Sequence, residues 1–142
     1  MNSQDSSKPL VAIIMGSKTD WPSMKKSTDI LSEFGVPYEA KVLSAHRTPQ
    51  QLIDYVKKIE ETNFQVIIAG AGGAAHLAGV IAAHTLLPVL GVPMKSSSLD
   101  GLDSLIPMYQ VNKTRTVCCA SYKNSKPCDN ENISLYFAKP KK

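Results

Sequence analysis

Over the first 110 residues, short apolar runs alternate with longer stretches whose apolar positions recur at helical spacing. The runs are residues 10–15 (LVAIIM), 39–43 (EAKVL), 65–69 (QVIIA) and 87–92 (LPVLGV). The first and third are almost continuously apolar and rich in β-branched side chains, the mark of strands covered on both faces. Between the runs the spacing predicts three helices. The first covers about 21–34, with Asp20 as its N-cap, Pro22 in the first turn and Gly35 at its end. Its apolar positions are Met24, Ile30, Leu31 and Phe34. The second covers about 49–61, with Thr48 as cap, Pro49 at its first position, and Leu52, Ile53, Val56 and Ile59 as the buried stripe. The third, about 75–85, is small and apolar almost all round, which predicts burial.

Strand and helix alternating at this spacing point to a single α/β domain: a parallel sheet with helices on both faces, three layers in all. Such sheets bind ligands beyond the carboxyl ends of their strands, where loops lead into helices. The chemistry is therefore expected in three loops. Loop one, residues 16–20 (GSKTD), has a glycine for a sharp turn and two hydroxyls at a helix start, which suits a phosphate or ribose; a plain capped helix start reads the same way. It lacks the spacing of a P-loop. Loop two, residues 44–49 (SAHRTP), sets His46, a side chain type that titrates near neutrality, beside the fixed cationic fork of Arg47. Loop three, residues 70–77 (GAGGAAHL), is a run of small residues that lets a ligand or a neighbouring helix approach the backbone, with His76 at the rim. It satisfies a relaxed dinucleotide pattern, but Lys95 stands where that pattern needs an acid. His84 reads as a structural or surface residue.

Composition sharpens this picture. A chain of 142 residues, 43% hydrophobic and 20% charged, has the profile of one folded domain and excludes a disordered or collagen-like protein. Three cysteines exclude a disulfide scaffold, and Cys118, Cys119 and Cys128 lack metal-ligand spacing, so no metal site is expected. No apolar run approaches the ~18 residues of a membrane span, and the polar opening MNSQDSSKP carries no apolar signal core. The expectation is a cytoplasmic protein without a membrane partner. The net charge of +4 lies toward the end: residues 111–142 carry seven basic and two acidic side chains. Their charges show no aromatic interleaving or known module, so no nucleic-acid partner is expected. The organisation read from the chain is a disordered leader (1–8), the α/β domain (9–110) and a divergent basic segment (111–142).

GSKTD, SAHRTP and AGAGGAAHL, in that order and followed by LPVLGVP and GLDSL, resemble the aminoimidazole ribonucleotide carboxylase family of purine biosynthesis. They are closest to its class I branch, the N5-carboxyaminoimidazole ribonucleotide mutases; the class II enzymes carry lysine where Arg47 stands. The resemblance covers about residues 10–110. It implies a flavodoxin-like three-layer fold, a homo-octamer with active sites at subunit contacts, and a small ribonucleotide substrate. The implied reaction moves a carboxylate from the exocyclic nitrogen to carbon 4 of the imidazole, with no cofactor. By match of motif, Ser17, Asp20 and Arg47 fall on substrate-binding positions and His46 on the catalytic histidine. Ser44, Gly72, Gly73, Ala74, His76 and Leu77 fall on positions lining the same site. Thr19 replaces the family's usual serine, Ala78 replaces a proline, and the recognisable motifs end at Gln110. The competing expectations are a carboxylase that takes up carbon dioxide directly, and a catalytically weak nucleotide-binding or assembly protein.

Overall fold

The computed structural model describes residues 8–95, 99–111 and 117–119. The described chain runs β1 (Val11–Met15), α1 (Trp21–Glu33), β2 (Tyr38–Val42), α2 (Pro49–Glu60), β3 (Val66–Ala71), α3 (Leu77–Ala82), β4 (Val89–Pro93), α4 (Leu102–Val111) and β5 (Val117–Cys119). The strands form one parallel sheet in the order β2-β1-β3-β4-β5. This is the flavodoxin-like order, as expected. From β1 the chain steps outward to β2, then returns across β1 to β3, so the direction of winding reverses between β1 and β3. A crevice opens at such a switch point beyond the strand ends.

Burial explains the layers. All five residues of β1 are buried because the strand is central and covered on both faces. Ala12 and Ile14 face Leu52, Tyr55, Val56 and Ile59 of α2, together with Leu77, Ala78 and Ile81 of α3. Val11, Ile13 and Met15 face Met24 and, more peripherally, Leu31 of α1. On that second face Val66, Ile68 and Val92 are only half buried.

The structure corrects several expectations in detail. In α1 the inward positions are Met24, Thr28 and Leu31, while Ile30 and Phe34 are 44% and 76% exposed. At roughly 100° per residue, positions 24, 28 and 31 share a narrow arc, and 30 and 34 lie well to its side. In α2, Tyr55 joins the buried stripe and Ile53 is half buried. The third helix is shorter than expected at both ends, and it starts late because Ala75 takes a left-handed φ of 42° that no right-handed helix accommodates. β3 also runs two residues further than its apolar pattern, so Gly70 and Ala71 belong to the strand. An edge strand after residue 116 is present as β5; the expected leader lies outside the described residues but for its last residue, exposed Lys8, and the segment beyond Cys119 lies outside them entirely.

The exposed edge at β2 is tied to α2 by one polar cluster. Glu39 and Lys41, two apart and so on one face of β2, form a 3.1 Å ion pair, and the Tyr55 hydroxyl donates to Glu39 Oε2 at 2.8 Å. The Lys41 ammonium also sits 4.2 Å above the Tyr55 ring. Partial desolvation pushes the Glu39 carboxyl upward, but the Tyr55 and Lys41 contacts outweigh it and hold the group below its usual range. Burial and the facing carboxylate together raise the Tyr55 phenol. A lowered carboxyl contributes stability above the unfolded glutamate range and loses it as pH falls through the folded value. Tyr55→Phe is therefore expected to cost about 1 kcal/mol at neutral pH, in denaturant melts. That cost should shrink in acid as Glu39 protonates.

Candidate active site

The sheet register brings the three expected loops together. Met15 pairs with Val42 on one side and Gly70 on the other, so β1, β2 and β3 end at one level. The Gly16 N–H donates to Gly70 O at 3.1 Å and the Leu43 N–H to Met15 O at 2.8 Å, which carries the alignment into the loops.

Loop one folds as a 3-10 turn over Lys18–Asp20, immediately before α1. Ser17 stands in an extended conformation at its start, and its Oγ accepts from the Thr19 N–H at 3.3 Å and the Thr19 hydroxyl at 2.8 Å. Asp20 accepts the Ser17 N–H at 3.1 Å. Asp20 thus caps this short turn backward and makes no side-chain cap on α1, contrary to the sequence expectation. Its carboxyl is raised above the ordinary aspartate range because partial desolvation outweighs the one backbone N–H that favours the charge.

Loop two is a turn closed at its base. Thr48 Oγ1 accepts from the Ser44 N–H at 3.0 Å and donates to the Ser44 carbonyl at 3.2 Å, so Thr48 locks the turn and leaves α2 without a side-chain cap. Ser44 Oγ accepts the Arg47 N–H at 3.2 Å. The turn presents His46 and Arg47 at its tip, both exposed. They reach opposite ways. Arg47 Nη2 donates to the Gly16 carbonyl of loop one at 2.9 Å. His46 Nε2 lies 3.0 Å from Nδ1 of His76 in loop three, the rings edge to face at 86°.

Loop three needs small residues for two distinct reasons. A side chain on Gly70 would meet Met24 Sδ at 2.6 Å and Met94 Cε at 2.7 Å, so this glycine makes room for core packing. Gly73, at φ 62°, and Ala75 turn the backbone sharply, and the Ala75 N–H closes the turn on the Gly72 carbonyl at 3.2 Å. That turn leaves Gly72 and Ala74 exposed and brings His76 back toward His46. Leu77, expected on the crevice wall, has its side chain buried in the core at the start of α3. Ser17, Asp20, Ser44, His46, Arg47 and His76 are thus gathered beyond the carboxyl ends of β1, β2 and β3 through four loop-to-loop or within-loop contacts.

Sequence reading took Thr19 only as the second hydroxyl of loop one and Thr48 only as a helix cap, and it did not select the Gly16 carbonyl. The two threonines were legible as Ser-x-Thr and Ser-x-x-x-Thr spacings, whereas a backbone acceptor carries no sequence signal. His84 Nδ1 lies 2.8 Å from the Val80 carbonyl at the end of α3, as befits a structural residue. Lys95, after β4, pairs with Asp100 at 2.6 Å. Among the described residues no group of three or more His, Cys, Asp or Glu side chains is placed to hold a metal, and no helix is long and apolar enough to cross a membrane.

This arrangement offers a guanidinium fork and a hydroxyl for an anion, a carboxylate for sugar hydroxyls, and two imidazoles in contact for proton movement. Known proteins are similar to this chain. A family model described as AIR carboxylase matches residues 10–129, continuing past Gln110. An N5-carboxyaminoimidazole ribonucleotide mutase of Pyrococcus horikoshii is 56% identical over 124 residues, covering 87% of this chain and 70% of that protein. A protein of the same name from Vibrio parahaemolyticus is 61% identical over 103 residues, covering 72% and 64%. The chain thus spans about two thirds of the length of these relatives. The crystal structure of Treponema denticola PurE superimposes with a TM-score of 0.63 at 30% identity, covering 68% of this chain and 61% of that one.

Because burial disfavours its charge, ionised Asp20 opposes folding. The raised carboxyl is neutral, and free of this cost, only at pH below its folded value. Asp20→Asn is therefore expected to melt at the same or a higher temperature than the wild type at pH 7. The difference should close near pH ~3, where the aspartate is itself protonated.

Proposed function

The chain belongs to the AIR carboxylase family, and we propose that it acts as an N5-carboxyaminoimidazole ribonucleotide mutase in purine biosynthesis in the cytoplasm. The single observation that carries this reading is the 3.0 Å contact between His46 and His76 beside an Arg47 anchored on loop one. It supports a reading in which proton-transfer groups act next to an anion fork, the two functions an acidic ribonucleotide undergoing rearrangement requires.

In the proposed reaction, Arg47 and the Ser17 hydroxyl hold the phosphate and Asp20 accepts from the ribose hydroxyls. His46 delivers a proton to the exocyclic nitrogen as its carboxylate departs as carbon dioxide. Carbon 4 of the electron-rich ring then attacks the trapped gas and forms the new carbon–carbon bond. The proton left on carbon 4 returns to His46, which restores aromaticity. Protons and electrons balance within the substrate and the imidazole, so the chemistry calls for no metal, ATP or organic cofactor.

A hydrogen bond between two imidazoles needs one ring nitrogen to donate and the other to accept. The facing nitrogens are thereby committed to each other, and the nitrogens left to exchange a proton with substrate are His46 Nδ1 and His76 Nε2. The turn Gly72–Gly73–Ala74 supplies a wall with no side chain larger than a methyl, against which a flat ring can lie. In a homo-oligomer, expected to be an octamer, a neighbouring subunit would cover the exposed His46 and Arg47 and keep carbon dioxide from escaping.

That same exposure in the single chain favours a second reading, ribonucleotide binding without turnover. Incubating the full chain with N5-carboxyaminoimidazole ribonucleotide, without ATP, separates the two. Conversion to the carbon-4 isomer by particles of oligomeric mass supports the mutase, and binding without conversion by a monomer supports the second reading. His46→Asn is expected to lower turnover at least about a hundredfold while leaving ribonucleotide affinity within a few fold.

A further inference from the structure

Ser17 has an unusual set of partners. A serine hydroxyl has one proton to donate and two lone pairs to accept with. Here the Thr19 N–H and the Thr19 hydroxyl both donate to Ser17 Oγ, at 3.3 and 2.8 Å, and so occupy both lone pairs. The Ser17 backbone N–H is committed to Asp20. The one uncommitted polar hydrogen of the residue is its own hydroxyl proton. The carbonyl immediately before it, on Gly16, holds Arg47 Nη2 at 2.9 Å, so the guanidinium stands beside Ser17.

We infer that Thr19 is a positioning residue that turns Ser17 into an obligate hydrogen-bond donor toward an anionic oxygen of the substrate held against Arg47. The inference rests on the ribonucleotide reading of this crevice and adds to it the residue that sets the direction of the Ser17 hydroxyl. With its acceptor side filled, Ser17 has nothing to offer a donor or a cation and one proton to offer an anion. Without the Thr19 hydroxyl, one lone pair of Ser17 is freed. The rotor then has a wider choice of orientations, and its alignment on the anion has to be established during binding. Thr19 itself is exposed and packs against nothing in the core, so its side chain is available for this role without being needed for folding.

The test uses the full chain and ribose 5-phosphate as the probe, titrated by calorimetry, with mutase kinetics alongside. Thr19→Val keeps the shape and the backbone N–H but removes the hydroxyl. It is expected to weaken ribose 5-phosphate about five- to tenfold, the scale of one neutral hydrogen bond. The same factor should appear in KM, with kcat held. Thr19→Ser restores the hydroxyl and is expected to restore affinity to within about twofold of wild type on the same scale. In a Ser17→Ala background, Thr19→Val is expected to cost nothing further, because the group it positions is gone.

Wild-type affinity in Thr19→Val overturns the inference, and so does a full additional loss in the Ser17→Ala background. Thr19→Ala, which removes the hydroxyl with no β-branch, must agree with Thr19→Val; a disagreement between the two also overturns it. A wild-type chain that fails to bind ribose 5-phosphate overturns the ribonucleotide reading and this inference together. Binding by wild type with Thr19→Val unaffected overturns this inference alone.

Discussion

Two side chains at the tip of one turn hold the crevice together. His46 and Arg47 are neighbours in sequence, yet one reaches His76 in loop three and the other the Gly16 carbonyl in loop one. Neither contact spans a single element. Each joins residues 30 or 31 positions apart, so each is available only because the sheet has already brought three strand ends to a common level. The turn must also be stiff for its tip to act as a bridge, and the Ser44–Thr48 bonds at its base supply that stiffness.

The scaffold beneath explains why these loops can be so polar. β1 is buried along its whole length between helices on both faces, and the core clusters on either side of it carry the fold. Folding stability thus resides in apolar packing away from the crevice, which leaves the loops free to hold a partly desolvated Asp20 carboxyl and a left-handed Ala75. Both are unfavourable locally, and functional sites are where such costs concentrate. Gly70 sits at the border of the two regions. It belongs to the strand, and its missing side chain is the space into which Met24 and Met94 pack.

Charge reads differently once it is placed. The excess of positive residues falls after residue 111 in the sequence, whereas the crevice depends on one guanidinium whose orientation is fixed by a backbone carbonyl. The affinity of such a site comes from direction more than from net charge. A fork with one arm anchored, and a hydroxyl with its acceptor side filled, recognise an anion by geometry even on a nearly neutral domain.

Alternating apolar runs, proline and glycine punctuation and the three loop motifs were enough to determine the α/β class, the parallel sheet and the family, because apolar periodicity and helix punctuation are local properties written residue by residue. Burial of particular residues was less legible. Ile30 and Phe34 share the helical apolar spacing of the first helix yet stay exposed, and the Leu77 side chain lies in the core. Helical phase relative to a distant sheet is not local information. The tertiary structure alone decided the pairing of His46 with His76 and the anchoring of Arg47 on Gly16. Both join loops far apart in sequence. Hydrogen bonds of this kind require exact distances between separate segments, and only packing of the whole domain sets those distances.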